Sequence, residues 1–172
     1  VGFALGSVTG SLVAFFRMAP FVSSLAMMTI ARGIAYITTN GQPLRLPMDQ
    51  KSSSILVSFG NDKIPLIGIP WPILFGVIMV IGFFLVMRYL TFGRLIVATG
   101  SNETAVRLAG VNVRKYKFLA YAFSGAMSAL AGILITSRAA IGTPVTGVGY
   151  ELDAIAACVI GGASLSGGKG TV

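Results

Sequence analysis

The chain has 172 residues, 55% of them apolar and 10% charged, with a formal net charge of +8 and a mean hydropathy of +0.85. A water-soluble domain carries about 25% charged residues, so the composition excludes an ordinary soluble fold and points to a membrane. One cysteine, Cys158, excludes an internal disulfide, and the absence of histidine excludes histidine-based catalysis, metal ligation and proton relay. The positive charge does not read as nucleic-acid binding. The cations cluster between apolar runs, and no aromatic-and-basic reading motif accompanies them.

Val1 to Phe16 reads as an apolar helix with Gly2, Gly6 and Gly10 on one stripe, a spacing that lets a second helix approach closely. The chain has no initiating methionine and stops at Val172 beyond a glycine-rich break, so a truncated stretch of a longer protein is expected. Arg17 and Pro20 mark a short turn on the charged, inner side. Phe21 to Thr39 is then long enough to cross a ~30 Å hydrocarbon core. Arg32 lies within it, about 18 Å along the helix. An arginine at that depth snorkels, anchors the helix end or lines a wet pathway.

Asn40-Gly41-Gln42-Pro43 breaks the helix. Leu44 to Pro70 is polar, and its charges, Arg45, Asp49, Lys51, Asp62 and Lys63, leave a net +1. The stretch from Arg88 to Lys117 carries +5, so residues 40–70 are expected outside and residues 89–117 inside. Ser52-Ser53-Ser54 and Gly60-Asn61-Asp62 predict irregular structure in the outer loop. Ile73 to Met87 has no charged side chain, and Trp71 and Tyr89 bracket it about 27 Å apart as helix, the spacing of two interfacial belts. Cysteines introduced at Ser53 and Ser101 should therefore label from opposite faces of an intact membrane.

The polar island that follows holds Arg88, Arg94, Arg107, Arg114, Lys115 and Lys117 against one acid, Glu103. Ser101 or Asn102 can cap a helix, Glu103 would sit in its first turn beside the positive dipole end, and Gly110 can close it. The spacing predicts about two turns from Glu103 to Ala109, too short to be stable alone and therefore resting on something. Val106, Leu108 and Ala109 would form a small apolar patch beside Arg107. A solvated connector and a helix offered to a cytoplasmic partner both fit this pattern.

Phe118 to Thr136 returns across the membrane, with Ser124, Ser128, Gly132 and Thr136 repeating every four residues. Such a stripe packs helices or presents hydroxyls to a polar substrate. Arg138 to Gly149 is an outer loop. Tyr150 to Ile160 is a half-length apolar helix, with Glu151 and Asp153 in its first turn where carboxylates favour the dipole. Gly161-Gly162 and Gly167-Gly168 interrupt it. Irregular backbone at membrane depth is tolerated only against protein or a wet cavity, and broken helices sit beside transport pathways. Arg32, Glu151, Asp153, Gly161 and Gly162 are therefore candidates for a pathway or gate, although the two carboxylates also suit simple caps. Ala163 to Gly170 imitates a phosphate-binding loop, but Ala163 and Gly170 stand where Gly and Ser/Thr are required, so ATP binding is not expected.

Gly93-Arg94, the Gly100-Ser101-Asn102-Glu103 turn, and Ala109-Gly110-Val111-Asn112-Val113 with Lys117 resemble the cytoplasmic coupling loop of sugar ABC-transporter permeases, the family of the ribose, xylose and galactoside importers. Gly149-Tyr150-Glu151-Leu152-Asp153, Gly161 to Gly170, Pro20 to Gly33 and Thr39-Asn40-Gly41 are similar to further signatures of that family, in the same order. The resemblance implies an all-α polytopic membrane protein of the bacterial inner membrane. It would have about four transmembrane helices, a half-helix with a glycine-rich break and a short coupling helix, all within a single permease domain over residues 1–172.

It further implies a non-enzymatic subunit without a cofactor, translocating a monosaccharide. Ser101, Asn102, Glu103, Thr104, Val106, Arg107, Leu108 and Gly110 would contact a separate ATP-binding subunit. A periplasmic sugar-binding protein would dock on the outer face, and a second permease copy would complete a homodimer. A branched-chain amino-acid permease is the nearest alternative. A secondary transporter is a more distant one, because no carboxylate sits centrally in a full span.

Overall fold

A computed structural model describes residues 1–47, 51–62, 68–164 and 167–168. Asp49, Lys63, Leu165, Lys169 and Gly170, and with them most of the phosphate-loop-like stretch, lie outside the described residues. In chain order the elements are α1 (Gly2–Ala14), α2 (Pro20–Thr39), β1 (Leu44–Arg45), α3 (Lys51–Asn61) and α4 (Trp71–Tyr89). These are followed by α5 (Thr91–Ser101), α6 (Glu103–Leu108), α7 (Val113–Ala139), β2 (Ile141–Gly142) and α8 (Tyr150–Ile160).

Among the described residues three helices are long and apolar enough to cross a membrane: α2, α4 and α7. Beside them α1 adds 13 apolar helical residues, Gly2–Ala14. The boundaries of α2 and α4 follow their sequence signals. Pro20 opens α2 at its first position, and Asn40 and Gly41, both at positive φ, close it. Trp71 and Tyr89 are the terminal residues of α4.

The axis of the molecule is the α1–α7 pair. Gly2, Gly6 and Gly10 face α7 at Ala129, Gly125, Tyr121 and Phe118. A Cβ on Gly6 would lie 2.6 Å from the Tyr121 carbonyl oxygen, and one on Gly125 would lie 2.7 Å from Gly6 Cα. The two backbones are thus in direct contact, and hydrogen on both sides is what permits it. The seam buries Ala14 and leaves Ala122 fully buried.

The close-packing stripe of α7 is therefore the face of Phe118, Ala122, Gly125 and Ala129. The expected stripe of Ser124, Ser128, Gly132 and Thr136 lies elsewhere, and a Cβ on Gly132 would meet nothing within 4 Å.

Two helices occupy stretches expected to be loop. α3 forms where serines and Gly60-Asn61 suggested turns, because those small residues are its packing face. Ser53 and Gly60 are buried, Gly60 lies against the backbone of Ser137, and the Asn61 amide donates to the Ser137 carbonyl at 3.4 Å. α5 forms within the polar island, where Phe92, Leu95, Ile96 and Thr99 follow helical spacing. Phe92 packs on Tyr116 and Phe123 of α7, with ring centroids 6.0 and 5.9 Å apart. Gly93 is held against Met87 of α4.

The short strands pair antiparallel, Leu44 with Gly142 and Arg45 with Ile141, and Leu46 N–H donates to the Ala140 carbonyl. That bridge gathers residues 40–46 and 140–149 at the Ala139 end of α7. The α1–α2 turn and α6 gather at the opposite, Val113 end. α7 is 27 residues long, so these ends are separated by about 40 Å.

Ser53 is only 7% exposed and unsuited to labelling. In a Cys158→Ser background, cysteines at the exposed Ser58 and Thr104 are expected to react from opposite sides of intact membranes. Labelling of both from one side would overturn the assignment of the two loops to opposite faces.

Candidate functional site

The segment expected to act in coupling is built from α6 and the start of α7. Asn102 adopts an extended conformation, and its side-chain oxygen accepts from Ala105 N–H at 3.0 Å, capping α6. Gly110, at φ +81, ends the helix, and Gly110 N–H donates to the Arg107 carbonyl. Of the two residues that could have capped, Asn102 does so. Ser101 is the last residue of α5, and its hydroxyl donates to the Gly168 carbonyl at 3.2 Å.

Glu103, the one acid of the island, is engaged by Lys117 of α7 at 2.6 Å. Both side chains are substantially exposed, so the pair is worth roughly 0.2–1 kcal/mol, and its main effect is to hold α6 against α7. Outward from α6 project Thr104, Arg107 and Leu108, at spacings that share one face. Leu108 is 84% exposed. Val106 is half-buried, which separates it from the expected patch with Leu108 and Ala109.

The pathway candidates are not brought together. Glu151, exposed at the start of α8, accepts from Gly149 N–H at 3.1 Å as a local cap. It also borders a cavity of about 780 Å³ with Ser128, Gly132, Thr136, Leu46 and Tyr150. Arg32, Asp153, Gly161 and Gly162 do not line this cavity. Arg32 is half-buried on α2, and among the described residues it has no ion-pair partner. Ser128, Gly132 and Thr136 of the α7 stripe thus border this cavity, and Ser124 does not. Leu46 and Tyr150 reach this cavity only through the β1–β2 bridge, a tertiary arrangement with no local signal in the sequence.

Gly167 and Gly168 meet the α5–α6 junction directly. Gly167 and Gly168 lie on Gly100 and Ser101, and a Cβ on Gly100 would sit 2.5 Å from Gly168 N. The segment after α8 therefore reaches the residue that precedes the Asn102 cap.

Long helices with exposed apolar flanks define an all-α polytopic membrane protein. α4 has no buried residue at all, as expected of a helix facing lipid or further membrane helices. Residues 1–169 match the family described as Branched-chain amino acid transport system / permease component, and the chain belongs to that family.

The chain is 40% identical over 173 residues to the ribose import permease protein of Escherichia coli, covering 100% of this chain and 53% of that protein. It is 40% identical over 165 residues to the L-arabinose transport system permease protein of Escherichia coli, covering 96% and 48%. It is 38% identical over 163 residues to the ribose import permease protein of Bacillus subtilis, covering 95% and 49%. No solved structure matches the chain significantly. The chain spans about half the length of the curated relatives it matches, and it is a multi-pass inner-membrane protein.

Proposed function

We propose that the chain is part of the permease subunit of an ATP-binding-cassette importer that carries a ribose-like pentose or a hexose across the cytoplasmic membrane. Its similarity to ribose and arabinose permeases supports the substrate class. The observation that carries the mechanism is α6, a six-residue helix capped by Asn102, tied to α7 through Glu103–Lys117, and presenting Arg107 and an 84% exposed Leu108.

A separate ATPase subunit would receive that face on the cytoplasmic side. Movement of α6 would pass into α7 through the ion pair and toward α8 through the Ser101–Gly168 contact. The permease itself hydrolyses nothing and needs no cofactor. A periplasmic binding protein would deliver sugar at the end formed by residues 40–47, 51–62 and 138–149, and a second permease copy would complete the pathway.

Arg107→Glu and Leu108→Asp in the full-length protein are expected to lower transport-coupled ATP hydrolysis about tenfold or more, with normal membrane insertion, since an exposed apolar anchor seated in a partner groove is worth ~1–2 kcal/mol or more. Glu103→Gln is expected to act more weakly, because it loosens only an exposed ion pair. Unchanged coupling in the first two variants would refute docking through α6.

The family description favours a second reading, a branched-chain amino-acid substrate. Uptake of labelled pentoses, hexoses and branched-chain amino acids by cells with and without the full-length gene separates the two. Loss of one sugar alone is the expected result. Loss of an amino acid would replace the substrate while retaining the mechanism.

A further inference from the structure

The Val113 end of α7 holds a second cavity, of about 760 Å³, between the α1–α2 turn and the α6–α7 connection. Its polar lining is cationic, with Arg17 from the turn, Arg107 from α6, and Arg114 and Lys117 from α7. The one carboxylate on its rim, Glu103, is already bound to Lys117. Among the described residues Arg17, Arg107 and Arg114 have no carboxylate partner. Arg17 occupies the left-handed region at φ +56, a costly conformation for a residue with a Cβ. The turn is closed around it by Met18 N–H donating to the Leu12 carbonyl.

Beside these cations stand apolar side chains that face away from the protein. Phe16 is 74% exposed and Phe21 70%, on either side of Arg17, and Met18 is also exposed. Unpaired guanidinium groups call for an oxyanion with several acceptor oxygens, which Arg binds in a forked geometry. Exposed aromatic and thioether side chains call for hydrocarbon. One small class of molecule satisfies both at the end of a membrane helix.

We infer that the cavity between the α1–α2 turn and the start of α7 binds the phosphate headgroup of an anionic phospholipid, with Arg17 and Arg114 as its principal ligands and Phe16, Met18 and Phe21 alongside the acyl chains. Lipid is favoured over an acidic protein segment by exposed Phe16, Met18 and Phe21, which line the cavity or adjoin its lining residues Arg17 and Pro20 in the chain. Basic pockets between transmembrane helices on the cytoplasmic side are suited to such headgroups. The site does not depend on what the protein transports.

The test uses the full-length protein in detergent, with bound lipid read by native mass spectrometry during titration with phosphatidylglycerol or phosphatidylcholine. Phosphatidylglycerol should be retained preferentially. R17Q combined with R114Q is expected to weaken its retention about thirtyfold, from roughly fivefold per cation near the surface. R94Q combined with K115Q removes the same charge outside the cavity and should change retention little. R17K combined with R114K, which keeps the charge, guards against misfolding and should retain most of the binding.

Equal loss in both charge-removing pairs would mean a diffuse surface field and overturn the site. Equal retention of the two lipids, or complete displacement of the lipid by millimolar inorganic phosphate, would overturn the assignment to an anionic lipid.

Discussion

Gly6→Leu is expected to prevent the α1–α7 pair from forming and to be strongly destabilising. Gly6 leaves no room for even one carbon, with the Tyr121 carbonyl oxygen 2.6 Å and Gly125 Cα 3.0 Å from where a Cβ would be. Overpacking a well-filled core costs ~1–3 kcal/mol, and here the obstructing atoms are backbone, which cannot rotate away as a flexible side chain would. The helices must separate, and the tight seam around the fully buried Ala122 separates with them.

The measurement is the yield and thermal midpoint of the full-length protein in mild detergent. Val8→Leu is the matched control, since Val8 is 49% exposed on the same helix and should accept the extra volume. Equal behaviour of the two variants would mean that the glycine stripe is not a seam.

Gly168→Val is expected to leave the protein folded and inserted while lowering transport-coupled ATP hydrolysis by about ten- to a hundredfold. Gly168 has φ +77, where a β-branched residue is strained by roughly 1–3 kcal/mol. Its Cβ would also lie 2.5 Å from the backbone nitrogen and Cα of Ser101. The segment after α8 would have to leave Ser101, and the hydrogen bond from the Ser101 hydroxyl to the Gly168 carbonyl would be lost. With the contact between Ser101 and the segment after α8 broken, transport and the ATP hydrolysis coupled to it are expected to fall together. Coupling that survives Gly168→Val would confine the mechanical link to the Glu103–Lys117 connection with α7.

What the sequence determined by itself is local. The class of protein follows from composition, because hydrocarbon is the solvent in which such a chain has low energy. The ends of α2, α4 and α8 follow from Pro20, Asn40-Gly41, the Trp71–Tyr89 bracket and Gly161-Gly162, since prolines, glycines and interfacial aromatics act on their own residue or its immediate neighbours. The short helix α6 was legible for the same reason. Asn102 caps three residues ahead, and Gly110 supplies the positive φ that ends the turn.

Tertiary structure decided what depends on distant partners. α3 and α5 have weak local signals, and they form because Gly60 meets Ser137 and Phe92 meets Tyr116 and Phe123. Two small-residue stripes on α7 look equivalent by spacing, yet only the one opposite Gly2, Gly6 and Gly10 is a seam, and the other borders a cavity. Glu103 stood out as the lone acid among cations, but its capture by Lys117, 14 residues on, was settled by the packing of α6 against α7. The same packing placed Arg17 beside Arg107 and Arg114. A short-range signal tells each helix where to start and stop, and only contact between helices tells it which face to bury.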